Sequence, residues 1–346
     1  MYNIADTFIV GRFLGENALA AVGSTYTLMT FLYSIIIGPC MGSGSLVSYC
    51  FGERNERRLK GCLNISFLMI GSVTLVTEPI TLCFPNEILK LLHTPMKIML
   101  LTFDYVRIIL SGVGLCFYTL AKEPLLRLSF KKKSWKDCSF GEVVRMSTAA
   151  SVQQSVMNFG ILMVQGIVNS FGTQIMAAFA VSVKIDTIAY MPVQDFGNAF
   201  STFIAQNFGA GKYDRIKDGI KKALKSVVLF CIFISAIVFI FAKPLMMIFV
   251  NAESTEIINI GVQYLRIEGA CYIGIGILFM LYGYYRAINK PSMSVVLTVI
   301  SLGIRVVLAY VLSRVIGVVG IWWSIPIGWF IADAVGICFY LFKFDR

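Results

Sequence analysis

Runs of about twenty apolar residues recur from one end of this chain to the other, and a helix that long crosses about 30 Å of hydrocarbon. No water reaches that layer, so each backbone amide must be satisfied within the protein, by helices or by a closed barrel. The short alternating strands of a barrel are missing. The fold class that remains is an all-α polytopic membrane protein. Composition agrees: 57% of the 346 residues are hydrophobic, 14% are charged, and the mean hydropathy is +0.77, far from a soluble domain.

Full spans are predicted over about 25–50, 62–84, 98–121, 147–168, 181–208, 220–241, 257–285, 292–311 and 317–342, nine in all. Ahead of them, MYNIADTFIVGRFLG offers only about ten apolar residues before Arg12 and Gly15, half the length of a span. The most polar stretch, KEPLLRLSFKKKSWKDCSFGEVVR, separates two halves. The expected units are an incomplete first lobe over 1–121, a basic linker over 122–146 and a six-helix second lobe over 147–346.

Lys and Arg set the orientation. If the gaps between spans alternate sides, the stretches 52–61, 121–146, 207–225 and 284–291 and the tail hold 21 of the 30 basic residues, against five opposite. The crowded side is expected to be cytoplasmic, with the C-terminus on it, in the cell's inner (plasma) membrane. The net charge of +11 is therefore read as membrane orientation, and nucleic acid is not an expected partner. His93 is the only histidine, and the nine cysteines form no CxxC pair. No metal or other cofactor is expected, and the cysteines read as small buried apolar residues. A phosphate loop of the G-x-x-x-x-G-K-[ST] kind is absent, so nothing supports ATP-driven chemistry.

The halves repeat at an offset of 157 residues. Gly15 matches Gly172, Ala20-Ala21 matches Ala177-Ala178, Phe51-Gly52 matches Phe208-Gly209, Arg58 matches Arg215 and Lys60 matches Lys217. Paired lobes with a cavity between them are a common transporter layout. In the second half the Tyr264-Leu-Arg-Ile motif precedes Val335-Gly-Ile-Cys-Phe-Tyr by 71 residues; in the first, Tyr105-Val-Arg-Ile precedes Val113-Gly-Leu-Cys-Phe-Tyr by 8. The 63-residue difference corresponds to two spans with their loops, so the first lobe reads as an internally shortened copy.

Polar groups inside apolar spans mark candidate sites, because an acid at mid-membrane costs about 2.5–3.5 kcal/mol on insertion scales. The span over 181–208 carries Asp186, Gln194, Asp195, Asn198 and Gln206, with Pro192 among them. Asp195 and Asn198 are i,i+3, next to the carbonyl that Pro192 leaves free. They serve either as a cavity lining or as local hydrogen bonding around a kink. Gln154, beside Gln153, is placed to bond across helices. Arg305 requires a carboxylate or open water, and Glu268 and Asp333 are its possible partners.

The motif Asp6-Thr7-x-x-Val10-Gly11-Arg12-x-Leu14-Gly15, followed by Ala18 to Gly23, resembles the first helix of the multidrug and toxic compound extrusion (MATE) family. Met191-Pro192 through Gly209-Ala210-Gly211 is similar to that family's eighth helix and its Q-N-x-G-A-G corner. Gly317-Val-Val-Gly320-Ile-Trp322 is similar to the entry of the last helix. The resemblance spans essentially the whole chain and implies twelve helices in two six-helix lobes. Here the first helix lacks its N-terminal half, and the end of the fourth reads as fused to the end of the sixth. It further implies no enzymatic activity, but secondary export of drugs or organic cations by H⁺ or Na⁺ antiport, with Asp6 binding the cation or proton. Asp186, Gln194, Asp195, Asn198, Gln206, Gln154 and Arg305 are then candidates for a substrate cavity taking small amphipathic or cationic molecules. The expected assembly is a monomer in the lipid bilayer. A shortened first lobe is expected to weaken export. The alternatives are a lipid-linked oligosaccharide flippase of the same superfamily, which would require a cluster of cations facing the cavity, and a membrane remnant that transports nothing.

Overall fold

A computed structural model describes residues 36–83, 140–250 and 253–344. They form α1 (36–52), α2 (Glu56–Cys83), α3 (Phe140–Asn169), α4 (Thr173–Gly209), α5 (Tyr213–Phe249), α6 (Thr255–Gly269), α7 (Tyr272–Ala287), α8 (Pro291–Ile316) and α9 (Val318–Phe344). The predicted half span around Asp6 and the hybrid helix over 98–121 lie outside the described residues.

Local chemistry sets the helix ends. The side chain of Asn55 accepts the Arg58 amide at 3.1 Å, capping α2. Pro291 opens α8, where its missing N–H costs nothing. Inside α5, Phe241 leaves helical geometry (φ −96°, ψ 15°) three residues before Pro244, whose ring and missing amide disturb the turn before it. Helix α4 runs through Pro192.

Five described helices are long and apolar enough to cross a membrane, and α6 with α7, bent by 52°, make a sixth. Their outward faces carry Leu229, Phe233, Ile240, Val307 and Val315, all largely exposed. Such faces lose little against lipid tails. The predicted continuous span over 257–285 is instead two helices meeting at Ala270-Cys271. Gly269, Gly274 and Gly276 cluster there, and glycine lowers the cost of leaving the helix. The reading of every cysteine as unpaired fails at Cys62, which is disulfide-bonded; Cys40, Cys50, Cys231, Cys271 and Cys338 are free thiols.

The main core joins α3 to α9. At its centre Phe179 stacks on Trp322 with centroids 5.5 Å apart, and Tyr264 meets Trp322 edge-on at 4.9 Å. A smaller core of Leu46, Cys50, Cys62 and Ile65 seats α1 and α2 against Val143 of α3.

The two halves touch where the repeat predicts equivalence. A Cβ on Gly52 would collide with the Gln206 carbonyl, and one on Gly209 would collide with the Tyr49 carbonyl. Gly52 and Gly209 are 157 residues apart, and so are Tyr49 and Gln206. The contact is therefore reciprocal, as at a two-fold axis. Nearby, the Ser45 and Ser201 hydroxyls lie 3.3 Å apart. Beyond the crossing, Arg58 bonds Glu53 at 2.8 Å and Glu142 at 2.9 Å. Glu142 also accepts from Asn289 at 3.2 Å, and Asn289 accepts from Arg145 at 2.7 Å. This chain of polar contacts ties α2 to α3 and to the turn between α7 and α8. It lies at the end of the bundle where the Lys- and Arg-rich segments gather.

Candidate functional site

Two polar regions stand out inside the bundle. The first is a cavity lined by Met41 of α1, Gln153, Gln154 and Met157 of α3, Gln194 and Asn198 of α4, and Phe279, Tyr282 and Arg286 of α7. A close crossing of α4 and α7 builds it. A Cβ on Gly283 would lie 2.5 Å from the Gly197 carbonyl, and one on Gly197 would lie 3.0 Å from the Phe279 carbonyl. Two glycines therefore let the backbones approach, which brings Arg286 to Asn198: its Nη2 donates to Asn198 Oδ1 at 3.0 Å. Gln154 reaches across the lobes, with its Nε2 3.5 Å from Met41 Sδ.

The second region is a cluster of ionisable groups inside the second lobe. Asp186 is 3% exposed and accepts from the Tyr272 hydroxyl at 2.5 Å. Glu268, 2% exposed, lies within hydrogen-bonding reach of Asp186 and of Tyr264. Among the described residues its Oε2 has no hydrogen-bond partner, and two buried carboxyls side by side disfavour two charges. Arg305 acts on both acids through its charge. No ion pair within 4 Å joins it to either among the described residues, and its buried Nε has no partner. The break between α6 and α7 flanks this cluster, with Glu268 in the last turn of one helix and Tyr272 opening the next.

The sequence-predicted residues divide between these regions. Gln154, Gln194 and Asn198 line the cavity. Asp186 and Arg305 lie in the buried cluster, with Glu268 rather than Asp333 beside them. Asp195 is exposed, away from the lining, and Gln206 contributes its carbonyl to the Gly52 crossing. Asp6 lies outside the described residues. Asp333, 4% exposed with neither carboxylate oxygen bonded, acts through its charge on Tyr282. Lys184 is exposed.

Sequence reasoning missed Arg286, Tyr272 and the role of Glu268 as a partner of Asp186. Arg286 falls in a segment counted as a basic loop, yet it occupies the last turn of α7 and is 5% exposed. Tyr272 and Glu268 lie on either side of the break between α6 and α7, so no helical spacing relates them. Among the described residues no group of three or more His, Cys, Asp or Glu could hold a metal.

Comparison with known proteins gives a consistent set of relatives. The MatE family model matches residues 1–127 and 149–311. The probable multidrug resistance protein YoeA of Bacillus subtilis is 22% identical over an alignment 411 positions long, covering 97% of this chain and 88% of the relative. An FAD transporter of Shewanella oneidensis is 21% identical, covering 94% and 87%. Among solved structures, a MOP superfamily transporter from Pyrococcus furiosus, described by a reverse polarity of its binding pocket, superimposes with TM-score 0.87 at 16% identity. That match covers 98% of this chain and 90% of the other.

Proposed function

We infer a function from the premise that this chain belongs to the MatE family. It is a multi-pass membrane transport protein and not an enzyme. The function the geometry supports best is export of small organic molecules, drugs among them, by antiport against H⁺ or Na⁺. The names of its relatives, which cover multidrug resistance and FAD transport, favour small organic substrates. The basic end of the bundle then faces the cytoplasm of the cell that carries the protein in its inner (plasma) membrane, by the excess of Lys and Arg.

One observation carries the antiport reading: the helices that form the cavity also carry the buried carboxyl cluster. Helix α4 holds Asp186 in the cluster, Gln194 and Asn198 in the cavity, and Gly209 in the crossing between lobes. Helix α7 holds Tyr272 in the cluster and Arg286 in the cavity. With a proton between them, Asp186 and Glu268 share one negative charge. Losing that proton, or exchanging it for Na⁺, changes the charge held between α4, α6 and α7 in a low-dielectric interior. The helices must repack around the change, and repacking α4 and α7 moves the cavity wall and the crossing together. The same cycle accommodates Asp6 in the first lobe in the role its resemblance implies.

A flippase of lipid-linked oligosaccharides fits less well. It calls for several cations facing the cavity, and among the described residues only Arg286 lines it.

The test is efflux of a fluorescent drug from proteoliposomes under an imposed proton or sodium gradient. Parent protein is expected to respond to one gradient, and Glu268→Gln, Asp186→Asn and Asp6→Asn are each expected to lose most of that response. Gradient-driven efflux that persists in all three variants would remove the coupling assignment.

A further inference from the structure

The interlobe cavity contains a cation and, among the described residues, no acid. Arg286 is 5% exposed at the end of α7. One of its terminal nitrogens donates to Asn198, while its buried Nε has no partner. The acids on the packed elements lie elsewhere. Asp186 and Glu268 are buried in the second-lobe cluster, where Tyr272 donates to Asp186, Glu142 bonds Arg58 and Asn289, and Asp195 is exposed. Asp333 acts on Tyr282 but makes no ion pair with Arg286.

A guanidinium has five donors in a planar fork. Asn198 takes one of them and, being neutral, leaves the charge uncompensated among the described residues. A buried charge without a counter-ion is several kcal/mol less favourable than one in water. The amides of Gln153, Gln154 and Gln194 surround it, and Phe279 with Tyr282 supplies an apolar wall. This is the chemistry of a receptor for an oxyanion attached to an organic body. An organic cation placed there would meet repulsion.

We propose that this cavity binds the anionic group, a carboxylate, sulfonate or phosphate, of an amphipathic transported molecule on Arg286. The substrate class expected from resemblance alone was cationic, and the cavity assigns the opposite polarity. The proposal takes its route in and out from the export reading above, whereas binding stands independently. As described, the cavity holds about 20 Å³, room for about one water. The ligand therefore enters when the lobes part, and the Gly197–Gly283 crossing keeps Arg286 and Asn198 oriented for it.

The experiment uses the full chain, purified in lipid nanodiscs, with carboxyfluorescein as the reporter and anisotropy as the readout. Saturable binding is expected, weakened more than about tenfold in Arg286→Gln and less in Arg286→Lys, which keeps the charge but loses the planar fork. On unaltered protein, naphthalene sulfonate should displace the dye and tetraphenylphosphonium should not. This displacement series decides the matter even if Arg286→Gln fails to fold. No saturable binding, equal displacement by the two competitors, or unchanged affinity in Arg286→Gln overturns the proposal. Dye accumulation in everted vesicles separately scores export. Arg286-dependent binding without accumulation upholds the anion site and counts against export, and accumulation that ignores Arg286 counts against the anion site alone.

Discussion

Removing one oxygen atom tests the buried cluster directly. In Tyr272→Phe the ring keeps its packing, and Asp186 loses the donor now 2.5 Å from its Oδ1. Both residues are nearly inaccessible, at 1% and 3% exposure, so water does not replace the lost hydroxyl. Hydrogen bonds between membrane helices average about 0.6 kcal/mol with a ceiling of about 1.7, and bonds to ionised groups run about 1.5–3 kcal/mol. A short, buried bond to a carboxyl belongs where those ranges meet, at about 1.5 kcal/mol. The measurement is a double-mutant cycle of Tyr272→Phe and Asp186→Asn, by reversible unfolding in mixed micelles with sodium dodecyl sulfate. Each single change is expected to destabilise the protein, and the pair to fall short of their sum by about 1.5 kcal/mol. Additivity within about 0.3 kcal/mol would show that the hydroxyl and the carboxyl do not act on each other, and the cluster would lose its centre.

Two further outcomes follow from the contacts between lobes. Gly209→Val places atoms against the backbone of Tyr49 and Glu53, which cannot rotate away, at a cost of about 1–3 kcal/mol. Disulfide formation between Ser45→Cys and Ser201→Cys, whose parent hydroxyls are 3.3 Å apart, should then slow by about tenfold or more; an unchanged rate would mean the crossing tolerates a side chain. Arg58→Gln removes the bonds to Glu53 and Glu142, both partly exposed, so the loss is expected near 1 kcal/mol and should shrink in high salt. A loss that ignores salt would place the role of Arg58 in packing.

Much of the architecture was legible because the bilayer restricts the options. Long apolar runs dictated helices, and the repeat singled out Gly52 and Gly209 as equivalent. What the repeat could not say is that these equivalents touch, since identity along a chain carries no distance. The bend at Ala270-Cys271 escaped because apolar windows average over direction and are blind to a change of axis. Arg286 escaped because counting basic residues by loop treats each as a topology signal, whatever its depth. In the candidate site, spacing needed finer use. Gln194 and Asn198, four apart, share the lining, whereas Asp195 lies about one residue's rotation round the helix and leaves it. Tyr272 gave no warning, because a tyrosine in a membrane span has many uses and only its distance to Asp186 selects one.

The glycine crossing has an electrical consequence. Where two backbones lie closer than a methyl group allows, no file of water fits between them, and a proton has no hydrogen-bonded wire to follow. The reciprocal contact of Gly52 with Gln206 and of Gly209 with Tyr49 therefore leaves no water file between α1 and α4 at the basic end of the bundle. Between these two helices the exclusion is steric, so it does not depend on pH or salt for as long as the helices remain crossed.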